Sequence, residues 1–293
     1  MNDKLISVIV TTCNRKKEIL KRALDSVVSQ TYHPLEILLI IDQPLTAEDI
    51  SSFVSHNYGD MVKIFSNPKQ KGACYSRNRG IELAVGEYIA FLDDDDEWLP
   101  EKLEKQCQKM RPGINLVYSD YRVKSDHIDI KPAVNREYPV GNILEELLAF
   151  DFIGGCSVPL LRADTLREFG GFDLAFHSCQ DYDVWMQMAI RGNVACVREV
   201  LSYYYVMDDS ITSGFERRIQ GWENMLAKYA DYYASFPKSK AKFFGVMIEE
   251  GMKRGYYSFS GKKLIQSFEV FPYNVMCMWA VLRGLAERVL GIY

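Results

Sequence analysis

Four consecutive aspartates directly follow a strand-like run, and this junction constrains the fold more than any other feature of the chain. Residues 87–92 are mostly apolar, as a buried strand is, and residues 93–96 are all aspartate. Four adjacent carboxylates repel one another and are costly to hold together without a counter-ion. On the cluster alone two interpretations stay open: a site for a hard divalent cation with phosphate as its companion ligand, or a solvated acidic turn.

The residues around this junction alternate between strand and helix patterns. Apolar, β-branched runs predict buried strands, and apolar residues at helical spacing predict helices between them. The predicted strands are 5–11, 35–41, 62–66 and 87–92, and the predicted helices are 16–29, 46–56 and 72–84. This order predicts βαβ units with a Rossmann-like, mostly parallel sheet flanked by helices, and hence an α/β fold.

Polar residues mark the carboxyl ends of three of these strands. Residues 11–15 close the first strand, Asp42 follows the second, and the aspartates follow the fourth. Because ligands bind at the carboxyl ends of parallel strands, we expect these groups at one edge of the sheet. A solvated acidic turn would not be accompanied by two further polar strand ends at that edge. The pattern therefore favours the cation site.

Beyond residue 98 the sequence predicts a second half of the same domain and then a helical extension. Strand patterns at 116–123, 157–161 and 194–206 and helix patterns at 100–110, 142–150 and 180–191 continue the α/β order. Residues 125–140 are typical of a loop, 215–258 are helical with an interruption at Pro237, and 271–290 form a last amphipathic segment. We predict one domain at 1–213, with halves at 1–98 and 99–213, and a helical C-terminal extension at 214–293.

Charge and cysteine usage narrow the partners and the compartment. A formal net charge of −4 over 293 residues lacks the basic footprint of a nucleic-acid binder. The seven cysteines are scattered with no two three apart, which supports neither a zinc site nor a disulfide framework and favours a reducing cytoplasm. The start of the chain has no signal-peptide pattern, and no apolar run approaches the ~20 residues of a spanning helix.

The last segment leaves two interpretations open. Its run 275–282 is apolar, with Trp279 at its centre and Arg283 and Arg288 beyond. It either packs on its own domain or lies in a membrane interface, as a peripheral protein at the inner face of the membrane does. The oligomeric state is equally open, with a homodimer among the alternatives.

Several motifs, taken together and in this order, resemble family-two glycosyltransferases of the GT-A fold. They are residues 7–15, residues 29–32, residues 72–98 with the aspartates, the turn 170–173 and residues 180–185. The resemblance covers about the first 210 residues. It implies an inverting transfer of a sugar from a nucleotide-diphosphate donor, with a UDP-sugar favoured, to a saccharide or lipid-linked acceptor in cell-surface polysaccharide biosynthesis.

The resemblance also implies roles for individual residues. Asp93 and Asp95 match metal-binding positions, where Mn²⁺ or Mg²⁺ would neutralise the charge that develops on the leaving nucleoside diphosphate. Asp181 matches the general base that takes the proton of the acceptor hydroxyl, and Asp183 either contacts the acceptor or orders its segment. The residues that match nucleotide-sugar-binding positions are Thr11, Asn14, Arg15, Asp42, Gly72, Arg77, Asn78 and Asp94.

Three departures from the family pattern keep other hypotheses open. The second strand ends in the single acid Asp42 where two are usual, and the base motif begins with Gln180 instead of glutamate. Tyr205 and Met207 stand where an arginine and a histidine are common. These departures motivate a second hypothesis, a sugar-nucleotide-binding protein that has lost catalysis. A third, a nucleotidyltransferase, requires a glycine-rich phosphate loop after the first strand, and residues 12–15 contain no glycine.

Overall fold

The first strands and helices of the computed structural model follow the predicted order. The structure describes residues 4–125, 129–130, 137–206, 214–272 and 274–290. The first elements are β1 (Ile6–Thr12), α1 (Lys17–Val28), β2 (Leu35–Ile41), α2 (Ala47–Tyr58), β3 (Val62–Ser66), α3 (Ala73–Leu83) and β4 (Tyr88–Asp93). The strands and helices predicted for this part of the chain are therefore confirmed, with ends that differ by one or two residues.

The following elements depart further from the prediction. They are β5 (Glu97–Trp98), α4 (Lys102–Cys107), β6 (Ile114–Lys124), β7 (Asp129–Ile130), α5 (Leu144–Ala149), β8 (Leu160–Arg162), α6 (Ala163–Glu168), α7 (Gln180–Arg191) and β9 (Asn193–Tyr205). Sequence patterns missed β5, β7 and α6, because periodicity needs a longer window than such short elements offer. The strand predicted at 157–161 begins only at Leu160, since Val158 lies in a turn where its N–H donates to the carbonyl oxygen of Gly155 at 3.1 Å.

One sheet runs through this part of the chain in the order β3-β2-β1-β4-β8-β6-β9-β5, with β7 paired to β6. The neighbours among β3, β2, β1 and β4 are parallel, and so are β6 and β9. The short strand β8 is antiparallel to both β4 and β6, and β5 is antiparallel to β9. Most of the paired length is parallel, which confirms the predicted α/β class.

Helices cover the sheet because its strands are apolar on both faces. Val8, Ile9 and Val10 of β1 are fully buried, as expected of a central parallel strand. α1 packs against the same core with Leu20, Ala23, Leu24 and Val27, which lie on one face of the helix. α3 approaches β1 closely at Gly80, where a Cβ atom would lie 2.4 Å from a side-chain carbon of Ile9. This close approach brings the polar start of α3 towards the strand ends.

The chain divides into two units, and the second is helical. The first unit comprises residues 1–142, 153–175 and 180–213, and the second comprises 143–152, 176–179 and 214–293. The second unit contains α5 and the helices α8 (Phe215–Lys228), α9 (Ala230–Ser235), α10 (Pro237–Arg254), α11 (Tyr257–Val270) and α12 (Val275–Leu290). The domain boundaries predicted from the sequence stay predictions.

The helical stretch predicted at 215–258 is interrupted before Pro237, as predicted, because α9 ends at Ser235 and Pro237 begins α10. Proline is tolerated in the first turn of a helix because the N–H that it lacks has no partner there. α10 ends at Arg254 and is capped by Gly255, whose φ of +84° lies in the left-handed region that favours glycine at this position. Of the loop predicted at 125–140, residues 129–130 form β7, and residues 126–128 and 131–136 lie outside the described residues. None of the described helices is both long and apolar enough to cross a membrane.

Candidate functional site

The carboxyl ends of β1, β2 and β4 meet at one edge of the sheet, as the sequence predicts. In the parallel pairing Thr11 lies opposite Asp93 on one side and Ile40 on the other. Asp42, one residue past β2, donates from its N–H to the carbonyl oxygen of Thr12 at 2.8 Å. The three polar segments are therefore neighbours in space although they are far apart in sequence.

Residues 93–96 form a tight turn at the end of β4, which we call the acidic turn. The N–H of Asp96 donates to the carbonyl oxygen of Asp93 at 3.1 Å. The N–H of Asp93 donates to Ser157 Oγ, and Asp96 Oδ1 accepts from the N–H of Tyr205, both at 3.1 Å. Burial raises the pKa of Asp96 well above its ordinary value. Asp96 is therefore a structural group that ties the turn to the end of β9.

The other three carboxylates of the acidic turn each contact an arginine. Arg15 donates from Nε to Asp94 Oδ1 and from Nη2 to Asp95 Oδ2, both at 2.8 Å. Arg77 donates from Nη2 to Asp93 Oδ1 at 2.6 Å. Charge-assisted bonds of this kind are short and strong. The repulsion expected among adjacent aspartates is thus partly balanced by two guanidinium groups.

Two positive charges do not fully neutralise three negative charges, and Asp95 is the carboxylate at which the effect of burial and repulsion is clearest. Burial and then the negative charge of Asp93 raise the pKa of Asp95 from 3.8 to about 6, although Arg15 acts in the opposite direction. Burial likewise raises the pKa of Asp94. An added cation near Asp95 would therefore relieve a repulsion that the protein alone does not balance.

Asp93 and Asp95 supply the hard oxygen donors that a divalent cation prefers. Within the described parts of the chain, no group of three or more His, Cys, Asp or Glu side chains is placed to hold a metal ion. Mg²⁺ usually binds through one or two carboxylates together with substrate phosphates and water. The two aspartates therefore fit a cation that binds with a phosphate-bearing ligand, and not a self-contained metal site. Met207 lies outside the described residues.

Replacing Asp95 by asparagine is expected to stabilise the metal-free protein at neutral pH. Above pH 6 the folded protein holds Asp95 charged at a cost of about 1–3 kcal/mol, since each unit of pKa shift corresponds to 1.36 kcal/mol. The contribution of this group to the free energy of unfolding therefore falls as pH rises from about 4 to 6, and Asp95→Asn removes that fall. Urea denaturation in EDTA between pH 4 and pH 7.5 measures it. Equal pH dependence in both proteins would contradict the prediction.

α3 places two predicted residues beside the turn 170–173. Arg77 is 8% exposed, and its guanidinium carbon lies 5.3 Å from the centre of the Phe172 ring. Asn78 donates from Nδ2 to the carbonyl oxygen of Phe172 and accepts on Oδ1 from its N–H, both at 2.7 Å. Asn78 therefore fixes the main chain that presents Phe172 to Arg77. Its contact with a nucleotide stays a prediction.

Asp42 organises the loop that leads into α3. Its side chain is buried and accepts hydrogen bonds from Asn67 Nδ2 at 2.7 Å, from the N–H of Lys71 at 3.0 Å and from the N–H of Gly72 at 2.7 Å. Gly72 has a φ of +91°, a conformation that glycine adopts without strain. Asp42 and Gly72 thus fix the conformation of the loop that leads into α3. The nucleotide contacts predicted for them stay predictions.

The turn after β1 directs Arg15 towards the acidic turn. Asn14 is exposed and has a φ of +55°, in the left-handed region that asparagine tolerates better than most residues. Thr11 is partly exposed at the end of β1, beside Asp93. The structure thus brings Thr11, Asn14 and Arg15 to the predicted edge with groups that a ligand can reach.

α7 places Asp181 within electrostatic reach of the Arg77–Asp93 pair. Burial raises the pKa of Asp181 above its ordinary value, and the negative charge of Asp93 adds to this increase. Two influences act in the opposite direction. They are the N–H of Tyr182, which donates to Asp181 Oδ1 at 2.9 Å, and the positive charge of Arg77. A carboxyl whose pKa lies above its ordinary value is a better proton acceptor, as general-base catalysis requires. Asp183 is 1% exposed. Of the two roles left open for Asp183, its burial favours ordering the segment.

Three residues at the acidic turn were not predicted. Arg22 of α1 donates to the carbonyl oxygen of Asp95, and its guanidinium carbon lies 3.6 Å from the centre of the Tyr205 ring. Burial and the charges of the acidic turn raise the pKa of Tyr204 to about 12. Ser157 Oγ accepts a hydrogen bond from the N–H of Asp93. Arg22 lies on the polar side of the helical pattern of α1, which predicts only that its side chain is solvated. The spacing of Ser157 and Tyr204 in the sequence does not indicate that either residue contacts the acidic turn.

The sequence of the chain is similar to those of known glycosyltransferases. A model of Glycosyl transferase family 2 matches residues 7–161, which is more than half of the 293 residues. The chain is 26% identical over 268 residues to the UDP-Glc:alpha-D-GlcNAc-diphosphoundecaprenol beta-1,3-glucosyltransferase WfgD of Escherichia coli, covering 90% of this chain and 100% of that one. It is 29% identical over 186 residues to an uncharacterized glycosyltransferase of Haemophilus influenzae, covering 63% of this chain and 62% of that relative's length.

Solved structures share the fold at low sequence identity. S. aureus TarS 1-349 in complex with UDP-GlcNAc superposes with a TM-score of 0.66 at 15% identity, covering 98% of this chain and 81% of the other. The mannosyltransferase PcManGT of Pyrobaculum calidifontis, in complex with GDP-Man and Mn²⁺, has a TM-score of 0.60 at 14% identity, with coverages of 99% and 88%. The predicted fold class is confirmed by these likenesses.

Proposed function

The chain belongs to glycosyl transferase family 2, and from this premise we propose that it is an inverting glycosyltransferase with a nucleotide-diphosphate sugar as donor. A UDP-sugar is the favoured donor. Two similarities support this choice, because the E. coli relative is named for UDP-Glc and the S. aureus neighbour binds UDP-GlcNAc.

The acceptor that we propose is a saccharide or a lipid-linked sugar, in the synthesis of a cell-surface polysaccharide. The E. coli relative, which matches most of this chain, is named for a diphosphoundecaprenol-linked GlcNAc acceptor, and this supports the lipid-linked alternative. The cytoplasmic location and the homodimer alternative derived from the sequence stay predictions.

For the donor we propose a site at the ends of β1, β2 and β4. Thr11, Asn14 and Asp42 would contact the base or its surroundings, and Asp94 the ribose. Arg15 would contact the diphosphate, since a planar guanidinium matches phosphate oxygens, and the buried Arg77 would hold Asp93 beside the donor. The partial exposure of Arg15 and its position across Asp94 and Asp95 support this arrangement.

Asp93 and Asp95 would hold a divalent cation, Mn²⁺ or Mg²⁺. The neighbour from Pyrobaculum calidifontis that contains Mn²⁺ supports a metal of this class. When bound, such a cation neutralises negative charge on the leaving nucleoside diphosphate. Because Arg15 bonds to Asp95 at 2.8 Å, guanidinium and cation compete for this carboxylate. Metal binding is thereby coupled to the position of Arg15.

Asp181 would act as the general base. It takes the proton of the acceptor hydroxyl while the hydroxyl oxygen attacks the anomeric carbon from the face opposite the diphosphate. The bond between the anomeric carbon and the diphosphate oxygen breaks, and its electron pair leaves with the nucleoside diphosphate. One base suffices for this single displacement, and no covalent nucleophile is required.

One observation carries the proposal: a single buried arginine links the two halves of the site. Arg77 bonds to Asp93 of the acidic turn at 2.6 Å, and its charge acts on Asp181 of α7. The acid proposed for the donor side thus bonds to Arg77, and the acid proposed for the acceptor side lies within reach of the same positive charge. A solvated acidic turn would have no reason to share a buried arginine with a distant helix.

Thermal denaturation with nucleotide sugars tests this function. With Mn²⁺ present, a UDP-sugar at 100 times its Kd is expected to raise Tm by about 5–10 °C, since ligation at that ratio stabilises by about 2.7 kcal/mol. EDTA and the Asp95→Asn variant should each remove most of this shift. GDP- and dTDP-sugars serve as the comparison set. Equal shifts with all three donor classes, or a shift unaffected by EDTA, would contradict the proposed donor site.

A further inference from the structure

The outward face of α12 is apolar along the length of the helix. Large apolar side chains lie on this face at helical spacings of three, four and seven residues, and each is between 56% and 85% exposed. They are Val275, Met278, Trp279, Leu282 and Val289. Contiguous exposed apolar surface of this kind marks an interaction site more often than ordinary solvent-facing surface.

The opposite face of α12 consists of small residues that fix its orientation. Cys277, Ala280 and Gly284 are buried. A Cβ atom at Gly284 would lie 2.5 Å from the carbonyl oxygen of Glu249 in α10. Rotating the helix to bury Trp279 or Leu282 would bring these large side chains where only a hydrogen atom fits. The packing of α12 on α10 therefore keeps the apolar face outward.

The length of α12 and its one-sided apolar face are suited to a helix that lies in the plane of an interface. The 16 residues of α12 extend about 24 Å at 1.5 Å per residue. No described helix is able to span a bilayer. A helix with an apolar face and charged margins lies in the plane of an interface, with its apolar side chains buried about 5–10 Å deep.

The last three helices, α10 to α12, carry a surplus of positive charge, in contrast to the chain as a whole. Residues 237–290 contain nine lysines and arginines against four glutamates and no aspartate, a surplus of five positive charges. The whole chain has a net charge of −4. Arg283, at the edge of the apolar face, is 61% exposed on its side chain although it pairs with Glu249. The helical region that carries the apolar face is thus complementary to an anionic surface.

We propose that α12 docks on the surface of an anionic lipid bilayer. Its apolar face enters the boundary between head groups and acyl chains, where tryptophan is favoured, and the basic residues of the surrounding helices attract the anionic head groups. A second copy seated on the same face would bring two positively charged regions together, which is unfavourable. The inference does not depend on the proposed function, because docking requires neither donor nor acceptor.

Co-sedimentation of the full chain with vesicles tests the proposal. The vesicles are phosphatidylcholine alone, or phosphatidylcholine with about 30% phosphatidylglycerol, whose anionic head groups give a negative surface potential. We expect at least about tenfold tighter binding to the anionic vesicles, and a loss of at least about tenfold in the variant Trp279→Ser/Leu282→Ser. Both side chains are exposed, so circular dichroism and Tm should match those of the unaltered protein.

A matched control removes equally exposed apolar residues elsewhere. Leu45 and Val85 are 90% and 72% exposed and lie outside α12, so Leu45→Ser/Val85→Ser should bind vesicles as the unaltered protein does. Light scattering after size exclusion gives the oligomeric state of each protein. The proposal is wrong if neither vesicle type binds, if the α12 variant binds as well as its control, or if the α12 variant converts a dimer to a monomer without changing vesicle binding.

Discussion

Replacing Asp181 by asparagine is expected to lower kcat by about 10²–10⁴-fold, the range that a positioned general base contributes. Asparagine keeps the shape of the side chain, and its Oδ1 is able to accept the same hydrogen bond from the N–H of Tyr182. The group that takes the acceptor proton is lost. The affinity for the donor should stay within about twofold, because Asp181 is not assigned to the donor site. Steady-state transfer assays, together with calorimetric titration of the donor, measure both quantities.

The pH dependence of the reaction provides a second readout. A base works in its deprotonated form, so kcat rises with pH through the pKa of Asp181. Burial raises this pKa, and the acidic limb should therefore appear above the ordinary value of 3.8. In the residual activity of Asp181→Asn that limb should be absent.

A matched control separates catalysis from general effects of charge. Asp164 also lies in the first turn of a helix, and its side chain is 91% exposed. Asp164→Asn should therefore leave kcat unchanged. Equal activity of Asp181→Asn and the unaltered protein would exclude Asp181 as the base. Donor binding by the unaltered protein without transfer to any acceptor would instead favour the sugar-nucleotide-binding protein that has lost catalysis.

Replacing Asp93 by alanine is expected to lower the free energy of unfolding by about 3 kcal/mol, near the lower end of the cost of breaking a buried ion pair. Arg77 is almost completely buried and bonds to Asp93 at 2.6 Å, so the substitution removes the carboxylate that bonds directly to its buried guanidinium. The lower end applies because the Asp93 side chain is 28% exposed. Urea denaturation measures the loss, provided that the m value is unchanged.

The matched variant is Asp95→Ala. Asp95 contacts the more exposed Arg15, which keeps Asp94 as a partner, so its loss should not destabilise the metal-free protein. Adding Arg77→Met to Asp93→Ala should recover most of the lost stability, because an apolar side chain tolerates burial without a counter-ion. Equal losses for the two alanine variants, or no recovery in the double variant, would contradict the assigned role of Arg77.

These two aspartates therefore differ although the sequence motif treats them alike. Asp93 bonds to the buried Arg77, whereas Asp95 is held with a raised pKa, and we therefore expect an added cation to stabilise its charged form. Both variants should lose Mn²⁺-dependent donor binding, but only one should lose stability. Stability and binding measured together thus separate a structural role from a ligand role.

The sequence by itself determined the fold class and the position of the site. Alternating runs at the periods of strands and helices predict which residues are buried, because burial is encoded locally in the spacing of apolar residues. Parallel strands with apolar sequences then require a two-sided sheet, and their carboxyl ends must lie together. This is why the convergence of Thr11, Asp42 and the acidic turn follows from the sequence alone.

Only the tertiary structure decided which partners these side chains have. Arg15 and the acidic turn are about 80 residues apart, and Arg22, Ser157 and Tyr205 reach the same turn from three other elements. Such pairs depend on how helices and loops pack over the strand ends, and residue spacing carries no record of that packing. The same holds for α12, where the small residues Cys277, Ala280 and Gly284 decide that the apolar face points outward.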